Sequence, residues 1–343
     1  MRAYLYNIIT ERPSGPFGLM LKAGLVFLSL FYLLAINLRL AFYGFGIFKG
    51  AQLKVPVISI GNLTWGGTGK TPLVEAICSY FKAQGKKVCL LTRGYGGDED
   101  KALAENMPGV SVLAGKDRVK NARIKEQEAV PDIFVLDDGF QHLRIKRALD
   151  IVVVNGADPF GSGLLIPAGI LREPVSHLFR ADLIIITKTD LVSGDALARI
   201  KKVILKAKPG IEILESMHQP VSFYSNKSKE ITLESIRGKN VCAVAGLGDN
   251  ASFLKTLECL GVKIESSLLY MDHHDYKEYD FDDIISVCNH KKIDTVVTTQ
   301  KDWVKLKRLV PDSCKLEFLV LRIKLKVKDE EGLFGRLSAV LPG

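Results

Sequence analysis

Gly61-Asn-Leu-Thr-Trp-Gly-Gly-Thr-Gly-Lys-Thr71 directly follows an apolar run at 55–60 and precedes a helical pattern that starts near Pro72. Glycines let such a turn curl so that its N–H groups, and the N-terminus of the helix behind it, point at phosphate oxygens. In that arrangement Lys70 reaches the β- and γ-phosphates of a nucleotide and the Thr71 hydroxyl ligates Mg²⁺. The nucleotide-binding residues are therefore expected to be Gly66, Gly67, Thr68, Gly69, Lys70 and Thr71, with Mg²⁺ beside the bound nucleotide. A strict loop of this type carries glycine five residues before Gly69; Thr64 stands there instead, which makes this a variant.

Working outward, the chain continues as short apolar runs that end in Gly-rich or acidic turns and are followed by helical stretches. This alternation is the βαβ signature of a mostly parallel sheet. Strands are expected at 55–60, 87–92, 133–136, 151–154 and 183–187, each apolar on both faces, as a strand covered by helices on both sides must be. A polar, lysine-rich passage at 195–229 separates these from a second apolar series, with strands at 241–245, 262–269 and 295–299 and helices near 251–260 and 280–291. The expected fold is α/β: a P-loop NTPase-type, mostly parallel sheet with helices on both faces, a second smaller α/β lobe and an N-terminal apolar helix. Residues 1–50 form the N-terminal segment, 51–235 the P-loop core and 236–343 the C-terminal lobe.

The run Ile133-Phe-Val-Leu-Asp137-Asp138-Gly-Phe-Gln141-His142 places paired acids at a strand end, where a P-loop enzyme holds its Mg²⁺ directly or through water. Asp137 and Asp138 are the candidate metal carboxylates, and His142 lies on the substrate side. Arg172 and Glu173 sit in a Gly/Pro-rich loop after the fourth expected strand, where a planar guanidinium suits a phosphate or substrate clamp. Arg93, after the second strand, has the same standing. Thr187-Lys-Thr-Asp190 and Thr299-Gln-Lys-Asp302 are both similar to the base-reading loop of guanine-binding P-loop proteins, and either is expected to border a nucleotide base.

Residues 23–38 contain no charge and are bracketed by Lys22 and Arg39. The run is near the lower limit of about 20 residues for a spanning helix, and an interfacial or shallowly inserted helix explains its length and flanking cations. No small-residue cleavage site follows it. The six cysteines form neither a CxxC nor a metal-ligand cluster, so a reducing cytoplasm fits and a structural zinc does not. The net charge of +9 is compatible with a membrane surface or a phosphorylated substrate. No stacking platform or nucleic-acid motif accompanies it, so no nucleic-acid partner is expected, and no obligate protein partner is indicated.

Several longer motifs are more specific than the loop alone: Gly61 to Pro72, Thr92-Arg-Gly-Tyr-Gly-Gly97, Asp137 to His142, Phe160-Gly-Ser-Gly-Leu-Leu-Ile-Pro-Ala-Gly-Ile-Leu-Arg-Glu-Pro174, Asp272-His-His-Asp-Tyr276 and Thr298-Thr-Gln-Lys-Asp302. Over nearly its whole length the chain resembles the tetraacyldisaccharide 4′-kinases of the lipid A pathway. The resemblance implies transfer of the γ-phosphate of ATP to the 4′-hydroxyl of a tetraacyldisaccharide 1-phosphate, at the cytoplasmic face of the inner membrane. It also implies a base, an aspartate in a Gly-Asp-Glu stretch between the second and third strands, supported by a histidine of the Asp-His motif. Ala114-Gly-Lys-Asp117-Arg118 is taken as the corresponding stretch, with lysine where the family's aspartate stands, so the role passes to Asp117. His273 is the supporting histidine, with His274 in reserve. The catalytic set is then Asp117, His273, Lys70 and Asp138.

Two other classes compete. A GTP-driven switch or metal-insertion chaperone is favoured by Thr-Lys-Thr-Asp, but it calls for a metal-ligand cluster that the cysteine spacing does not supply. A membrane-anchored binding protein has no need of paired acids beside Gly-Lys-Thr.

Overall fold

The computed structural model describes residues 9, 15–94, 104, 107–226, 230–247, 249–272 and 274–341. They divide into two compact units. The first takes in 1–93, 109–216 and 327–343, the second 94–108 and 217–326. The expected boundary at 235/236 falls inside the second unit.

The sheet of the first unit comprises β1 (Val57–Asn62), β2 (Val88–Thr92), β3 (Ser111–Ala114), β4 (Ile133–Asp137), β5 (Leu149–Asn155), β6 (Leu183–Thr187) and the start of β7 (Glu212–Ser225). Its order is β7-β6-β5-β1-β4-β2-β3, and every neighbouring pair is parallel. β1, β2, β5 and β6 are buried at every position, as strands covered on both faces must be. After β1 the chain crosses toward β2, and after β5 toward β6. Neighbouring strands thus send their connections to opposite sides, which opens a crevice at their C-terminal ends.

Helices α1 (Gly15–Gly44), α2 (Lys70–Ala83), α3 (Arg118–Glu128) and α4 (Gly194–Ala207) belong to this unit. α2 buries Leu73, Val74, Ile77, Cys78 and Phe81, a three-to-four spacing that makes one apolar face. Val119 and Ala122 of α3 pack with Phe134 and Leu136, and Ile200 and Ile204 of α4 pack with Ile184 and Ile186.

α1 runs well past the apolar stretch expected from the sequence. Its 30 residues span about 45 Å at 1.5 Å per residue, long and apolar enough to cross a membrane by length and composition. One stripe, through Gly18, Lys22, Ser29, Tyr32 and Ile36, is buried or half-buried. Phe17, Met20, Phe27, Phe31 and Leu34 stand exposed on the rest.

The second unit has a parallel group in the order β10 (Lys263–Leu269), β9 (Asn240–Ala245), β11 (Thr295–Thr299) and β12 (Glu317–Val327). The outer half of β7 and the short β8 (Glu230–Ile231) pair antiparallel. Helices α5 (Asn250–Cys259), α6 (Glu278–Lys291) and α7 (Gln300–Leu306) accompany them. The chain then returns to the first unit with α8 (Glu330–Ser338). There Phe334 stacks on Tyr80 of α2, ring centroids 4.2 Å apart, and Arg336 pairs with Glu212 at 2.7 Å.

Candidate active site

The loop from β1 to α2 is shaped by close packing at the strand tips. A Cβ on Gly61 would lie 2.5 Å from the backbone nitrogen of Phe140, so only glycine lets the β1 tip meet the chain leaving β4. Asn62 is fully buried. Its Nδ2 donates to the Thr64 carbonyl at 2.7 Å, its Oδ1 accepts from Lys70 Nζ at 2.9 Å, and its own carbonyl accepts from Gln141 Nε2 at 3.0 Å. The loop is also held from below: Thr187 Oγ1 donates to the Thr68 carbonyl at 2.8 Å and Lys188 Nζ to that of Gly67 at 3.4 Å.

Gly69 takes a left-handed backbone, φ 83°, at the N-cap of α2, and among the described residues no side chain caps that terminus. The Thr68 hydroxyl is buried and finds no partner among the described residues. Thr71 is exposed in the first helical turn. Uncapped amides with the positive end of the helix dipole behind them form an anion cradle. Gly66, Gly67, Thr68, Gly69, Lys70 and Thr71 all lie on this turn and the start of α2.

Asp138 closes the site. Its own left-handed backbone, φ 49°, turns the chain at the β4 tip; strain of about 1–3 kcal/mol is commonly held at functional positions. Arg172 Nη1 donates to both Asp138 oxygens at 2.8 Å, and Lys70 Nζ lies 3.4 Å from one of them. Arg118 Nη1 donates to the carbonyls of Asp137 and Asp138, at 2.7 and 3.2 Å. Burial alone would raise the Asp138 carboxyl, but Lys70, Arg172 and Arg118 overcome it and hold the pKa down at about 2. A carboxylate so acidic is a permanent anion and a poor proton acceptor. Burial pushes Asp137 the other way, upward, despite the nearby Lys70, which marks it as a carboxylate short of positive charge. Burial lowers the Lys70 ammonium, opposed by Asp138.

The donor set suits Mg²⁺: a hydroxyl and one or two carboxylates, all hard oxygens, for an ion that keeps waters and substrate phosphates as its other ligands. Among the described residues there is no cluster of three or more His, Cys, Asp or Glu that would hold a metal without phosphates.

The remaining expected residues have varied surroundings. Burial and the charges of Arg118, Arg144, Arg147 and Arg39 lower the His142 imidazole to about 4, so it is neutral at physiological pH. Glu173 is buried, accepting from His177 Nδ1 at 2.6 Å and Arg180 Nη2 at 2.5 Å, which makes it a brace for the loop behind Arg172. Arg93 is exposed at the end of β2.

Asp117 lies beyond β3, an edge strand not expected from the sequence, and caps α3 by accepting from the Lys120 N–H at 3.2 Å. Its half-exposed carboxylate also pairs with Arg144 at 3.6 Å. The segment between β2 and β3 carries Gly97-Asp98-Glu99, the order that the resemblance asks for, and it lies outside the described residues, as does His273.

In the second unit His274 stacks on Tyr270 and contacts Asp280 at 3.0 Å. Asp302 is buried. Its carboxylate accepts from the Gly246 N–H, the Tyr276 hydroxyl and the Thr299 hydroxyl, at 3.0, 3.0 and 2.6 Å. Of the two stretches expected to border a base, Thr299–Asp302 therefore has its carboxylate occupied internally, whereas Thr187–Asp190 contacts the phosphate loop.

Comparison with known proteins agrees with this geometry. The model of the family described as tetraacyldisaccharide-1-P 4′-kinase matches residues 21–342. The chain is 35% identical to the tetraacyldisaccharide 4′-kinase of Halothermothrix orenii over 95% of each chain, and 35% identical to that of Syntrophus aciditrophicus over 94% of this chain and 92% of the relative. A crystal structure of LpxK from Aquifex aeolicus in complex with ATP superposes with a TM-score of 0.70 at 29% identity, covering 94% of this chain and all of that one. An uncapped phosphate cradle facing Lys70, Asp138 and Arg172, on a chain whose residues 21–342 match the family model, leads to one conclusion: the protein belongs to the tetraacyldisaccharide-1-P 4′-kinase family.

Proposed function

We propose that this ATP-dependent kinase phosphorylates the 4′-hydroxyl of a tetraacyldisaccharide 1-phosphate at the cytoplasmic face of the inner membrane, with its own residues in the following roles. The amides of 66–71 hold the triphosphate. Lys70 and Arg172, gathered on Asp138, set two positive charges against the phosphoryl group in transfer, where fixed charge lowers the barrier most. Thr71 and Asp137 hold Mg²⁺, which when bound neutralises phosphate charge and orients the leaving group. Asp138 acts by holding its two cations in place.

Neutral His142 and exposed Arg93 face the acceptor, and Glu173 keeps the Arg172 loop rigid. The hydroxyl proton goes to an aspartate, with Asp117 and Asp98 as the two candidates, supported by His273. The exposed apolar face of α1 lies in the headgroup layer and brings the site to a substrate that does not leave the membrane.

The observation that carries this reading is the Lys70–Asp138–Arg172 cluster at the uncapped N-terminus of α2. It is tested by incubating the protein with γ-labelled ATP and the tetraacylated disaccharide in vesicles. Label on the sugar is expected from the parent, none from folded Lys70→Ala, and a large loss on deleting residues 1–45. Absence of label from the parent sinks the reading, and full activity of the deletion sinks its membrane part.

A further inference from the structure

α1 is apolar enough to serve as a plain anchor, yet three of its polar side chains are committed to particular partners outside the helix. Tyr32 Oη donates to the carbonyl of Arg172 at 2.8 Å. Asn37 Oδ1 lies 2.9 Å from His177 Nε2, and His177 Nδ1 is 2.6 Å from the same Glu173 oxygen that accepts from Arg180. Arg39 Nη2 donates to the carbonyl of Gln141 at 3.2 Å.

The two residues that α1 grips by their carbonyls, Arg172 and Gln141, are both tied to the catalytic cluster by their side chains. Arg172 holds Asp138, while Gln141 Nε2 holds the Asn62 carbonyl and its Oε1 lies 3.5 Å from Arg172 Nη1. Glu173 and His177 are both buried. An asparagine amide in an otherwise apolar helix is costly to place in lipid unless it is hydrogen-bonded. The His177 contact supplies that bond.

We propose that α1 is a positioning element of the catalytic site as well as an anchor: Tyr32 and Asn37, the latter through His177 and Glu173, set the backbone of the Arg172 loop and thereby the grip of Arg172 on Asp138. Seating of the helix in the membrane and assembly of the charged cluster are then coupled, so the site is complete only when α1 is docked. This rests on the kinase reading above and adds Tyr32, Asn37 and His177 to its positioning residues.

The test uses the full-length protein in vesicles of phosphatidylethanolamine and phosphatidylglycerol. Tyr32→Phe and Asn37→Leu remove the polar contacts while keeping or increasing the apolar character of the helix, and each is made in the parent and in Arg172→Ala. Melting temperature and vesicle co-sedimentation serve as controls. Asn37→Leu with Tyr32→Phe is expected to lower kcat by about tenfold or more, with KM for the lipid and co-sedimentation changed less than about twofold. The same pair is expected to have almost no further effect in Arg172→Ala, because residues acting through one partner are not additive. His177→Gln, which keeps a donor and an acceptor, recovers more activity than His177→Leu.

An unchanged kcat overturns the inference, as does a loss that follows membrane binding or KM, or a full additional loss in the Arg172→Ala background. A parent that does not label the sugar overturns the kinase reading instead, so the two failures are distinguishable.

Discussion

Replacing Arg172 by Gln removes a guanidinium that reaches both oxygens of Asp138 at 2.8 Å. Burial raises the Asp138 carboxyl, and the pKa of about 2, against the ordinary 3.8, is reached because Lys70, Arg172 and Arg118 outweigh it. That net depression corresponds to about 2.5 kcal/mol. In the variant both the charge and the hydrogen bonds of Arg172 are lost, while Lys70 at 3.4 Å and Arg118 remain. The carboxyl then rises, because only Lys70 and Arg118 are left to oppose the burial that pushes it up.

The sign follows from the ionised form being the favoured one. The stability contributed by Asp138 is present above pH 3.8 and lost as pH falls toward 2, so the variant gives up part of it at neutral pH. Its carboxylate also protonates at higher pH than in the parent. Initial rates of γ-label transfer in mixed micelles should show kcat for Arg172→Gln down by about 10²–10³ at pH 7.5. Arg172→Lys restores charge without the planar fork and should recover only part of the rate. A variant within about threefold of the parent would refute the role given to the Arg172–Asp138 pair.

Three further outcomes are expected. Gly61→Ala drives a methyl to within 2.5 Å of the Phe140 backbone; overpacking of about 1–3 kcal/mol should lower the melting temperature by roughly 2–12 °C and weaken ATP binding, and an unchanged melt would show that the strand tips can separate freely. His142 is held near pKa 4, below the 6.5 of the unfolded chain, so the unfolded state takes up the proton first and stability falls as pH drops from 6.5 to 4. His142→Gln should flatten that decline in urea melts at pH 7.5 and 5, and identical slopes would contradict the assignment. Asp117→Asn keeps the α3 cap, since Asn and Asp cap about equally, and should leave phosphotransfer nearly intact while Asp98→Asn abolishes it; the reverse result returns the base to Asp117.

The phosphate loop was legible in sequence because backbone geometry demands glycine and chemistry demands lysine, so residue type reports position directly. The acids ending β4 were legible for the same reason, and the buried strands β1, β2, β5 and β6 announce themselves as apolar runs. β3 did not: Ser111–Ala114 is a four-residue edge strand, half exposed along most of its length, with no pattern to separate it from a loop. This strand places Asp117 after β3 in chain order, at the start of α3.

β7 was hidden in a passage read as polar. Its Glu212–Ser225 alternates in burial and contains Pro220, which argues against a strand unless it lies where its ladder position is spared. β12 carries a strand signal in Arg322-Ile-Lys-Leu-Lys-Val327, alternating apolar and basic residues. The splitting of the acidic pair into an electrostatic holder, Asp138, and a carboxylate short of positive charge, Asp137, depends on Arg172 arriving from 34 residues away. No local pattern encodes that meeting.

The return of 327–341 to the first unit has a consequence for biosynthesis. The surface of α2 around Tyr80 and the start of β7 at Glu212 emerge from the ribosome long before Phe334 and Arg336, which cover them. The nucleotide-binding half must therefore wait, partly unclothed, while the whole of the other half is translated. A premature stop near residue 326 would leave that half permanently exposed at an aromatic ring and a carboxylate, a lesion that quality-control proteases should find even though every residue of the phosphate cradle has been made.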